Sequence, residues 1–529
     1  MDKPDTSLTM SHTYANTVPA AFAQSVANYP DRPALIGEDG TSLSYSELDQ
    51  QRWQAARALM ALGVNHGDRV SIWAQNCTEW VIAGLAIHSI GAVLVPINTR
   101  MKGQEAGYAL QKSGAKVLFC PGDFLDQHYP TLLGEHRPGC VEEIIVMRDA
   151  QEGDTAWQAF LDKGNGVSMD GATARAAAVT SQDIMDIMFT SGTTGLPKGV
   201  VTQHGQNLRV IADWCERMAM VPEDRYLVAN PFFHAFGYKV GWLGGLLEGC
   251  AVMPHAVFDA GQIINRIGSE KVSVLPGPPT LFYSLLNDPS AKDCDTSSLR
   301  ATITGAAAVP PSLIEQIRSD LGFDIVLTGY GLTETCGIVA LCDPDDDAET
   351  IVSTCGKPIP DIEVEIHDPD GKALPPGEAG EIVVRGYNVM QGYFNDEAAT
   401  ADTIDSDGWL HTGDVGLTDE RGYLKITDRI KDLYICGGFN CYPAEIERMM
   451  AAHPAISQVA IIGVPDERMG EVGKAFVVPK SGEAINAEEI ISWCREQMAN
   501  YKVPRYIETI DALPVNAGGK VMKFKLREA

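Results

Sequence analysis

The sequence has few basic residues for its length. It contains 41 Lys and Arg against 70 Asp and Glu, which gives a formal net charge of −29 at pH 7. A field of that sign repels nucleic acid and anionic lipid, so we expect neither as the main partner. The sequence also lacks CxxC pairs and Cys/His clusters among its 12 cysteines. It therefore predicts neither a zinc site nor a disulfide framework, and most cysteines are expected to be buried thiols.

Long apolar runs are absent as well. The longest, residues 81–97, contains His88, Ser89 and Pro96 and predicts a helix, a turn at Gly91 and a strand. A membrane span would need about 20 apolar residues, so no transmembrane segment is predicted. The polar N-terminal stretch has no apolar core of the kind that a signal peptide requires. We therefore expect a cytoplasmic protein.

What the chain does have is size: its 529 residues exceed what one core usually supports, so at least two domains are expected. Strand and helix patterns alternate through residues 44–147, which predicts a parallel, doubly wound α/β sheet. Residues 271–286 and 325–334 each predict a strand, a turn and a helix. After residue 361, two alternating strands around a Pro/Gly turn predict a β subdomain. We place a large N-terminal domain at 1–428 and a small α+β domain at 429–529.

One helix is marked at both ends. Ser44 and Glu47 form a capping-box pattern before a stretch with helical apolar periodicity, and Gly63 follows as a stop signal. The spacing predicts an amphipathic helix between these signals.

The segment TSGTTGLPKG, residues 190–199, has the composition of a phosphate-binding loop. Its glycine spacing is not that of a Walker loop. Hydroxyl and backbone N–H groups can still donate to phosphate oxygens, glycines allow close backbone approach, and Lys198 adds a positive charge. From these residues alone, a flexible loop remains the alternative. The candidate phosphate-binding residues are Thr190, Ser191, Gly192, Thr193, Thr194, Gly195 and Lys198.

With this loop the sequence resembles the ANL superfamily of adenylate-forming enzymes, which includes acyl-CoA synthetases, luciferases and peptide-synthetase adenylation domains. Further family motifs follow in order: NPFFHAFG at 230–237, TGYGLTET at 328–335, HTGD at 411–414, DRIKDLYICGGFNCYPAEIE at 428–447 and PVNAGGKVMK at 514–523. The resemblance implies an ATP-dependent and Mg²⁺-dependent acyl-CoA ligase. Such an enzyme joins a carboxylic acid to AMP with release of pyrophosphate, and then transfers the acyl group to CoA.

The resemblance also assigns roles in nucleotide binding. Tyr330, beside Gly329, would stack on adenine, whereas a core tyrosine is the alternative. Thr333 would contact the α-phosphate and Glu334 would hold Mg²⁺, a hard cation that prefers oxygen ligands. Asp414 would accept hydrogen bonds from both ribose hydroxyls, with a simple Asx turn as the alternative.

The C-terminal motifs imply a mobile domain. The resemblance gives Arg429 a role in holding the nucleotide and makes Lys431 the hinge, although the DRIKD run could be a solvated charged segment. Lys520 would enter the site during adenylation, together with the charge of Lys198. The PVNAGGK segment lacks an arginine that is often found after its proline. After rotation, residues of the GGF segment would line the CoA channel: Gly437, Gly438 and Phe439.

The acyl site is predicted less sharply. His234 is expected near the substrate carboxylate, with a core histidine as the alternative. Lys239 could meet a polar group of the acyl part, but snorkelling to solvent is the preferred prediction. Small residues would leave volume for a branched or cyclic acid. The candidate substrate-binding residues are His234, Lys239, Gly305, Ala306, Ala307 and Gly337.

The acceptor and the acid are left open by the motifs. Amino-acid-activating domains that load carrier proteins usually have an aspartate after the HisAlaPhe region; HAFGYKVGWLGGL has none, which favours CoA. Two further candidates are a luciferase-like second step and a catalytically silent nucleotide-binding protein. Five segments are AIHSIGAVLVPINTR, NPFFHAFGYKVGWL, VLPGPPT, SSLRATITGAA and PDDDAETIVSTCGKP. In these segments the sequence most resembles bacterial ligases for the bicyclic propanoate left by degradation of steroid rings A and B. Medium-chain and long-chain fatty acids are the main competing substrates, and similar enzymes are often homodimers.

Overall fold

The computed structural model describes residues 14–190, 197–305, 311–429, 432–436, 439–441, 443–466, 469–498, 500–515 and 521–528. The chain forms two compact units: Met1–Val228 with Ala235–Ala256, and Ala229–His234 with Val257–Ala529. This division lies inside the predicted large domain. The boundary predicted after residue 428 therefore stays a prediction.

A mostly parallel sheet organises the first unit. Its strands lie in the order Lys198–Gln203, Ile184–Thr190, Val93–Pro96, Arg69–Ile72, Val117–Cys120, Glu143–Val146 and Thr155–Ala156. The first two strands are antiparallel and all the other neighbouring pairs are parallel. The predicted parallel α/β sheet is confirmed.

A second sheet of the same unit has the strand order Arg225–Val228, Ala251–Pro254, Pro33–Ile36 and Ser42–Ser44. A small hairpin pairs Asp123–Phe124 with Gln127–His128. The α-helices are Val18–Asn28, Tyr45–Ala61, Thr78–Ser89, Gly103–Ser113, Tyr129–Leu133, Trp157–Lys163, Met169–Ala178, His204–Arg217 and Gly244–Leu247. Short 3₁₀ turns lie at Gly134–His136 and Gly164–Gly166, and a π-helical segment lies at Phe236–Leu243.

Two local predictions in this unit are confirmed, the capping box and the reading of the apolar run. The Ser44 N–H donates to Glu47 Oε2 at 2.8 Å and the Glu47 N–H donates to Ser44 Oγ at 3.2 Å, so the capping box is formed. The apolar run consists of the end of helix Thr78–Ser89, a turn at Gly91 and strand Val93–Pro96. In the part of the chain that the structure describes, no helix is both long and apolar enough to cross a membrane.

The second unit contains several small sheets. Ala301–Ile303 pairs in parallel with Ile325–Leu327, and Gly329–Tyr330, Ala340–Leu341 and Lys357–Pro358 form an antiparallel sheet. The predicted β subdomain is confirmed as an antiparallel sheet of Ile362–His367, Gly380–Gly386, Leu410–Thr418 and Leu424–Arg429. A short strand lies at Gly392–Tyr393. Helices cover Ala260–Glu270, Pro279–Asn287, Pro311–Ser319, Ala348–Ser353 and Glu397–Thr403, with 3₁₀ turns at Pro289–Asp293 and Thr333–Thr335.

Two local predictions in this unit are corrected. In residues 271–286 the helix is present, but the predicted strand is reduced to a single bridge between Val274 and Ala301. In residues 325–334 the strand is present, but the predicted helix is only a 3₁₀ turn. The chain leaves helical geometry there because Cys336 and Gly337 both have positive φ, 56° and 103°.

The last hundred residues have a core of their own, as expected for a small α+β domain. Strands Ile456–Asp466 and Gly470–Pro479 form a long antiparallel pair. The remaining elements are strands Tyr434–Cys436, Phe439–Cys441 and Tyr506–Thr509 and helices Pro443–Met450, Ala487–Gln497 and Lys523–Arg527. One core cluster comes from these elements: Tyr434, Cys436, Cys441, Ile446, Met450, Ile456, Ile461, Val472, Ala475, Val477, Ile490 and Cys494.

Candidate active site

The glycine-rich segment connects two strands of the large parallel sheet. Thr190 ends one strand and Lys198 begins the next, and the two residues pair directly in the antiparallel register. Both candidate residues therefore lie at the same end of one hairpin. The loop between them lies outside the described residues, and with it Ser191, Gly192, Thr193, Thr194 and Gly195.

A hydrogen bond joins the residue predicted to stack on adenine to the residue predicted to bind ribose. The Tyr330 hydroxyl donates to Asp414 Oδ2 at 2.7 Å, although 84 positions separate the two in sequence. Asp414 is buried, with 3% of its surface exposed. Gly305 is a neighbour of Gly329, because a Cβ at Gly305 would lie 3.5 Å from the carbonyl oxygen of Gly329, in ordinary van der Waals contact. The predicted Tyr330 and Asp414 thus belong to one constellation.

The strand that carries Asp414 is held by a carboxylate that no sequence motif marked. Glu381 accepts a hydrogen bond from the Gly413 N–H at 3.1 Å, and its other oxygen lies 2.8 Å from His411 Nδ1. Burial alone would lower the pKa of His411, but hydrogen bonds and charge from Glu381 and Asp405 outweigh it and raise the pKa. Glu381 therefore anchors the motif HTGD at two points, His411 and the backbone of Gly413.

The predicted Mg²⁺ ligand, Glu334, lies beside Thr333 in the 3₁₀ turn. The Tyr393 hydroxyl donates to Glu334 Oε1 at 3.0 Å, and the Met390 N–H donates to the Glu334 carbonyl oxygen at 2.8 Å. Burial, followed by the charge of Glu334, raises the pKa of Tyr393. Tyr393 is thus a further candidate site residue that was not predicted, and no motif in its neighbourhood marked it.

Gly337 has a structural reason to be glycine. Its φ is +103°, a conformation that other residues rarely adopt. A Cβ on Gly331 would lie only 2.0 Å from the Gly337 carbonyl oxygen, so the two backbone segments pack directly against each other. Its proposed contribution to the acyl pocket stays a prediction.

His234 follows a turn in which its N–H donates to the Pro231 carbonyl oxygen at 3.0 Å. Its side chain retains exposed surface, yet protein surrounds the ring closely enough that desolvation lowers its pKa. The alternative of a core histidine is not supported for an exposed side chain.

The prediction that Lys239 snorkels to solvent is wrong. The side chain is 1% exposed, and Nζ lies 3.3 Å from Asp186 Oδ2 and 3.1 Å from Thr202 Oγ1. The amino group is therefore paired within the protein instead of being presented to an acyl substrate. The physical reason is that the neighbouring hairpin supplies a buried carboxylate, which the local apolar pattern around Lys239 could not reveal.

The remaining predicted residues are only partly described. Arg429 ends a strand and pairs with Asp414 in the backbone register, and Phe439 begins strand Phe439–Cys441. A bridge between Val515 and Val521 flanks the tail segment. Outside the described residues lie Ala306, Ala307, Lys431, Gly437, Gly438 and Lys520.

Glu334 is the acidic residue predicted for the metal site. No group of three or more His, Cys, Asp or Glu residues is close enough there to hold a metal ion. Mg²⁺ typically uses one or two carboxylates together with substrate phosphates and water, so a single Glu334 carboxylate fits this chemistry.

Comparison with protein families matches residues 22–394 to the AMP-binding enzymes and residues 445–520 to the AMP-binding enzyme C-terminal domain. The chain is 48% identical over 512 residues to the 3-[(3aS,4S,7aS)-7a-methyl-1,5-dioxo-octahydro-1H-inden-4-yl]propanoyl:CoA ligase of Mycobacterium tuberculosis (strain ATCC 25618 / H37Rv), covering 97% of this chain and 98% of that protein. The ligase of the same name from Rhodococcus jostii (strain RHA1) is 45% identical over 518 residues, with coverage of 97% and 98%.

The fold is likewise similar to a solved structure. ATP-bound MatB from Rhodopseudomonas palustris has a TM-score of 0.86 and 30% sequence identity, covering 96% of this chain and 98% of that chain. The family match covers most of the chain, and the ordered motifs agree with it. The chain therefore belongs to the AMP-binding enzymes of the ANL superfamily and, within it, to the acyl-CoA ligases.

Proposed function

We propose that this ligase activates a bicyclic, steroid-derived propanoate and transfers it to CoA. The observation that carries the substrate assignment is the similarity to two ligases named for the same bicyclic propanoate, at 48% and 45% identity over 97% of the chain. Their names describe an acid with two fused rings and a three-carbon side chain. We expect the same acid, or one with the same ring shape, to be the preferred substrate here.

In the proposed first half-reaction, the carboxylate attacks the α-phosphorus of ATP and pyrophosphate leaves. The enzyme supplies no nucleophile, so positioning and charge stabilisation must provide the catalysis. Tyr330 and Asp414 would hold the nucleoside, and the hydrogen bond between them supports that pairing. Thr333 would contact the α-phosphate, while Lys198 and Lys520 would neutralise the charge that develops on the phosphoryl oxygens.

Mg²⁺ would supply electrostatic stabilisation of the phosphates when bound. Glu334 is the residue that we propose as its protein ligand. The hydrogen bond from Tyr393 supports this role, because it restricts the orientation of the carboxylate.

In the proposed second half-reaction, the thiol of CoA attacks the acyl-adenylate and AMP leaves. Rotation about Lys431 would withdraw Lys520 and bring the segment of Gly437, Gly438 and Phe439 to the pantetheine channel. We also propose that the protein acts in the cytoplasm, and that a homodimer is its assembly.

The deciding experiment offers Mg-ATP and a panel of acids to the purified protein. The panel contains the bicyclic propanoate, medium-chain and long-chain fatty acids and arylates, and both pyrophosphate and acyl-CoA are measured. We expect the highest kcat/KM for the bicyclic acid. A higher value for a fatty acid would overturn the substrate assignment, and pyrophosphate without a thioester would point to a carrier-protein acceptor.

A further inference from the structure

A charged pair is buried in the first compact unit. Lys239 and Asp186 have 1% and 0% of their side-chain surface exposed, and Nζ lies 3.3 Å from Oδ2. The Thr202 hydroxyl donates to Asp186 Oδ1 at 2.7 Å and accepts from Lys239 Nζ at 3.1 Å and from Asn207 Nδ2 at 2.9 Å. Thr202 is therefore the common partner of the cluster.

Stability does not account for this pair. Removing two charges from water is costly, and replacing a buried ion pair by apolar residues of similar volume is often neutral or stabilising. Removing one residue of the pair is by contrast strongly destabilising, because the other charge stays buried without an opposite charge beside it. A pair of this kind favours one specific arrangement of the elements that carry it.

The elements joined by the pair are those that carry candidate site residues. Asp186 and Thr202 face each other across the hairpin, in the same register that pairs Thr190 with Lys198 at its end. Successive side chains of a strand alternate between its two faces, so Asp186 and Thr190 share one face, and Thr202 and Lys198 share it on the neighbouring strand. The cluster therefore contacts the face of the hairpin that also carries Thr190 and Lys198.

Lys239 lies in the π-helical segment Phe236–Leu243, which begins two residues after His234. Segments of this type are frequent at functional sites. The preceding residue, Tyr238, is also anchored, because its hydroxyl lies 2.7 Å from His88 Nε2 on helix Thr78–Ser89. Two consecutive residues thus attach this segment to two different elements of the unit.

We propose that Lys239 is a positioning residue for adenylation. Its ion pair with Asp186 fixes the hairpin that ends in Thr190 and Lys198 relative to the segment that follows His234. Lys239 acts through these residues and does not touch the substrate. The inference rests on the proposed function for the role of the hairpin in binding ATP phosphates, and it adds the determinant that sets the position of the hairpin.

The test compares Lys239→Met with the double variant Asp186→Asn/Lys239→Met, which removes both charges together. Unfolding temperature is measured first, and the Kd for Mg-ATP is then measured by calorimetry without any acid. We expect the double variant to regain most of the stability that Lys239→Met loses. We also expect it to bind Mg-ATP at least about tenfold more weakly than the wild type, because misplaced binding groups cost affinity and rate even when the substitution is distant. The KM for ATP should rise in parallel.

Arg52→Met provides the matched control. Arg52 is a buried cation of the same unit, 2% exposed, that pairs with Asp49 on its own helix and donates to Ser89 Oγ at 3.1 Å, and neither partner belongs to the hairpin. We expect this variant to lose stability while its Kd for Mg-ATP stays within about twofold of wild type. The reason is that loss of a buried ion pair outside the hairpin destabilises the fold but does not move the hairpin. A weaker Kd in this control would show that destabilisation alone explains the effect, and would overturn the proposal.

Thr202→Val is the milder variant if the charge variants do not fold, because it keeps the shape of the side chain and removes only the shared hydroxyl. A raised Kd for Mg-ATP at nearly wild-type stability supports the proposal, whereas an unchanged Kd overturns it. The readout is separate from the substrate assignment, since it needs no acid. If no acid in the panel gives a product but the variants still bind Mg-ATP more weakly, the proposed function is rejected and the positioning role of Lys239 stands.

Discussion

At the scale of single residues, the clearest feature is the hydrogen bond between Tyr330 and Asp414. The bond joins the residue proposed for adenine to the residue proposed for ribose, so each orients the other. Asp414 is buried, so leaving its carboxylate without hydrogen-bond donors costs free energy. A ligand that supplies hydroxyl donors would form strong, charge-assisted hydrogen bonds with it.

We predict that Asp414→Asn lowers kcat/KM for ATP by about 10-fold to 100-fold, because hydrogen bonds to a charged group contribute about 1.5–3 kcal/mol. Tyr330→Phe keeps the ring and loses one hydrogen bond, so its loss should be smaller. Steady-state kinetics with ATP varied at saturating acid measure both. Equal effects on the KM for the acid and the KM for ATP would contradict a ribose role for Asp414.

Glu334 carries a second prediction at this scale. Glu334→Gln keeps the acceptor for the Tyr393 hydroxyl but removes the negative charge, so the Mg²⁺ concentration for half-maximal pyrophosphate release should rise by about tenfold or more. A Mg²⁺ titration of both proteins at fixed total ATP measures the shift. Tyr393→Phe serves as the companion variant and should move the midpoint less. An unchanged midpoint for Glu334→Gln would assign the metal to another ligand.

At the scale of elements, strand Leu410–Thr418 carries Asp414 and is held by contacts at His411 and Gly413. His411 lies 2.8 Å from Glu381 Oε2 and 3.5 Å from Asp405 Oδ2. The raised pKa of His411 means that its protonated form is favoured in the folded protein. This contribution to stability is complete below the usual histidine pKa of 6.5, and it is lost as the pH rises through the higher folded pKa.

We therefore predict that His411→Gln is less stable than wild type at pH 6, and that the difference becomes smaller as the pH rises above the folded pKa. Urea unfolding of both proteins from about pH 5.5 to about pH 9 measures this trend. The values at high pH are the internal control for loss of packing, which does not depend on protonation. A difference that grows with pH would have the wrong sign for a protonated His411.

At the scale of the whole molecule, we expect the two proposed half-reactions to depend differently on the C-terminal residues. Lys520→Ala should lower pyrophosphate release by about 10²-fold to 10³-fold, the usual effect of removing one group that stabilises a transition-state charge. Thioester formation from added acyl-adenylate should stay near the wild-type rate, because the proposed rotation would withdraw Lys520 from the site in that step. Lys480→Ala, an exposed lysine of the same region, is the matched control. Equal loss in both half-reactions would argue against two separate roles of the domain.

Much of the fold could be predicted because the relevant signals are local. The capping box at Ser44 and Glu47 spans four residues, and the helix, turn and strand of residues 81–97 follow from hydrophobic pattern and one glycine. The predicted helix after Gly331 was wrong, because positive φ at Cys336 and Gly337 is decided by how closely two backbone segments pack. Local propensity does not contain that information.

The sequence by itself determined the family, the order of the motifs and the identities of Tyr330, Glu334 and Asp414 as candidate nucleotide residues. These follow from short segments in which neighbouring residues act together. The tertiary structure alone decided what contacts them. Tyr393 reaches Glu334 from 59 positions away, Glu381 reaches His411 from 30 positions away, and Asp186 meets Lys239 in a buried ion pair. The physical reason is that a hydrogen bond or ion pair between distant residues depends on which strands and turns become neighbours, and the pattern within any one segment does not specify its partner.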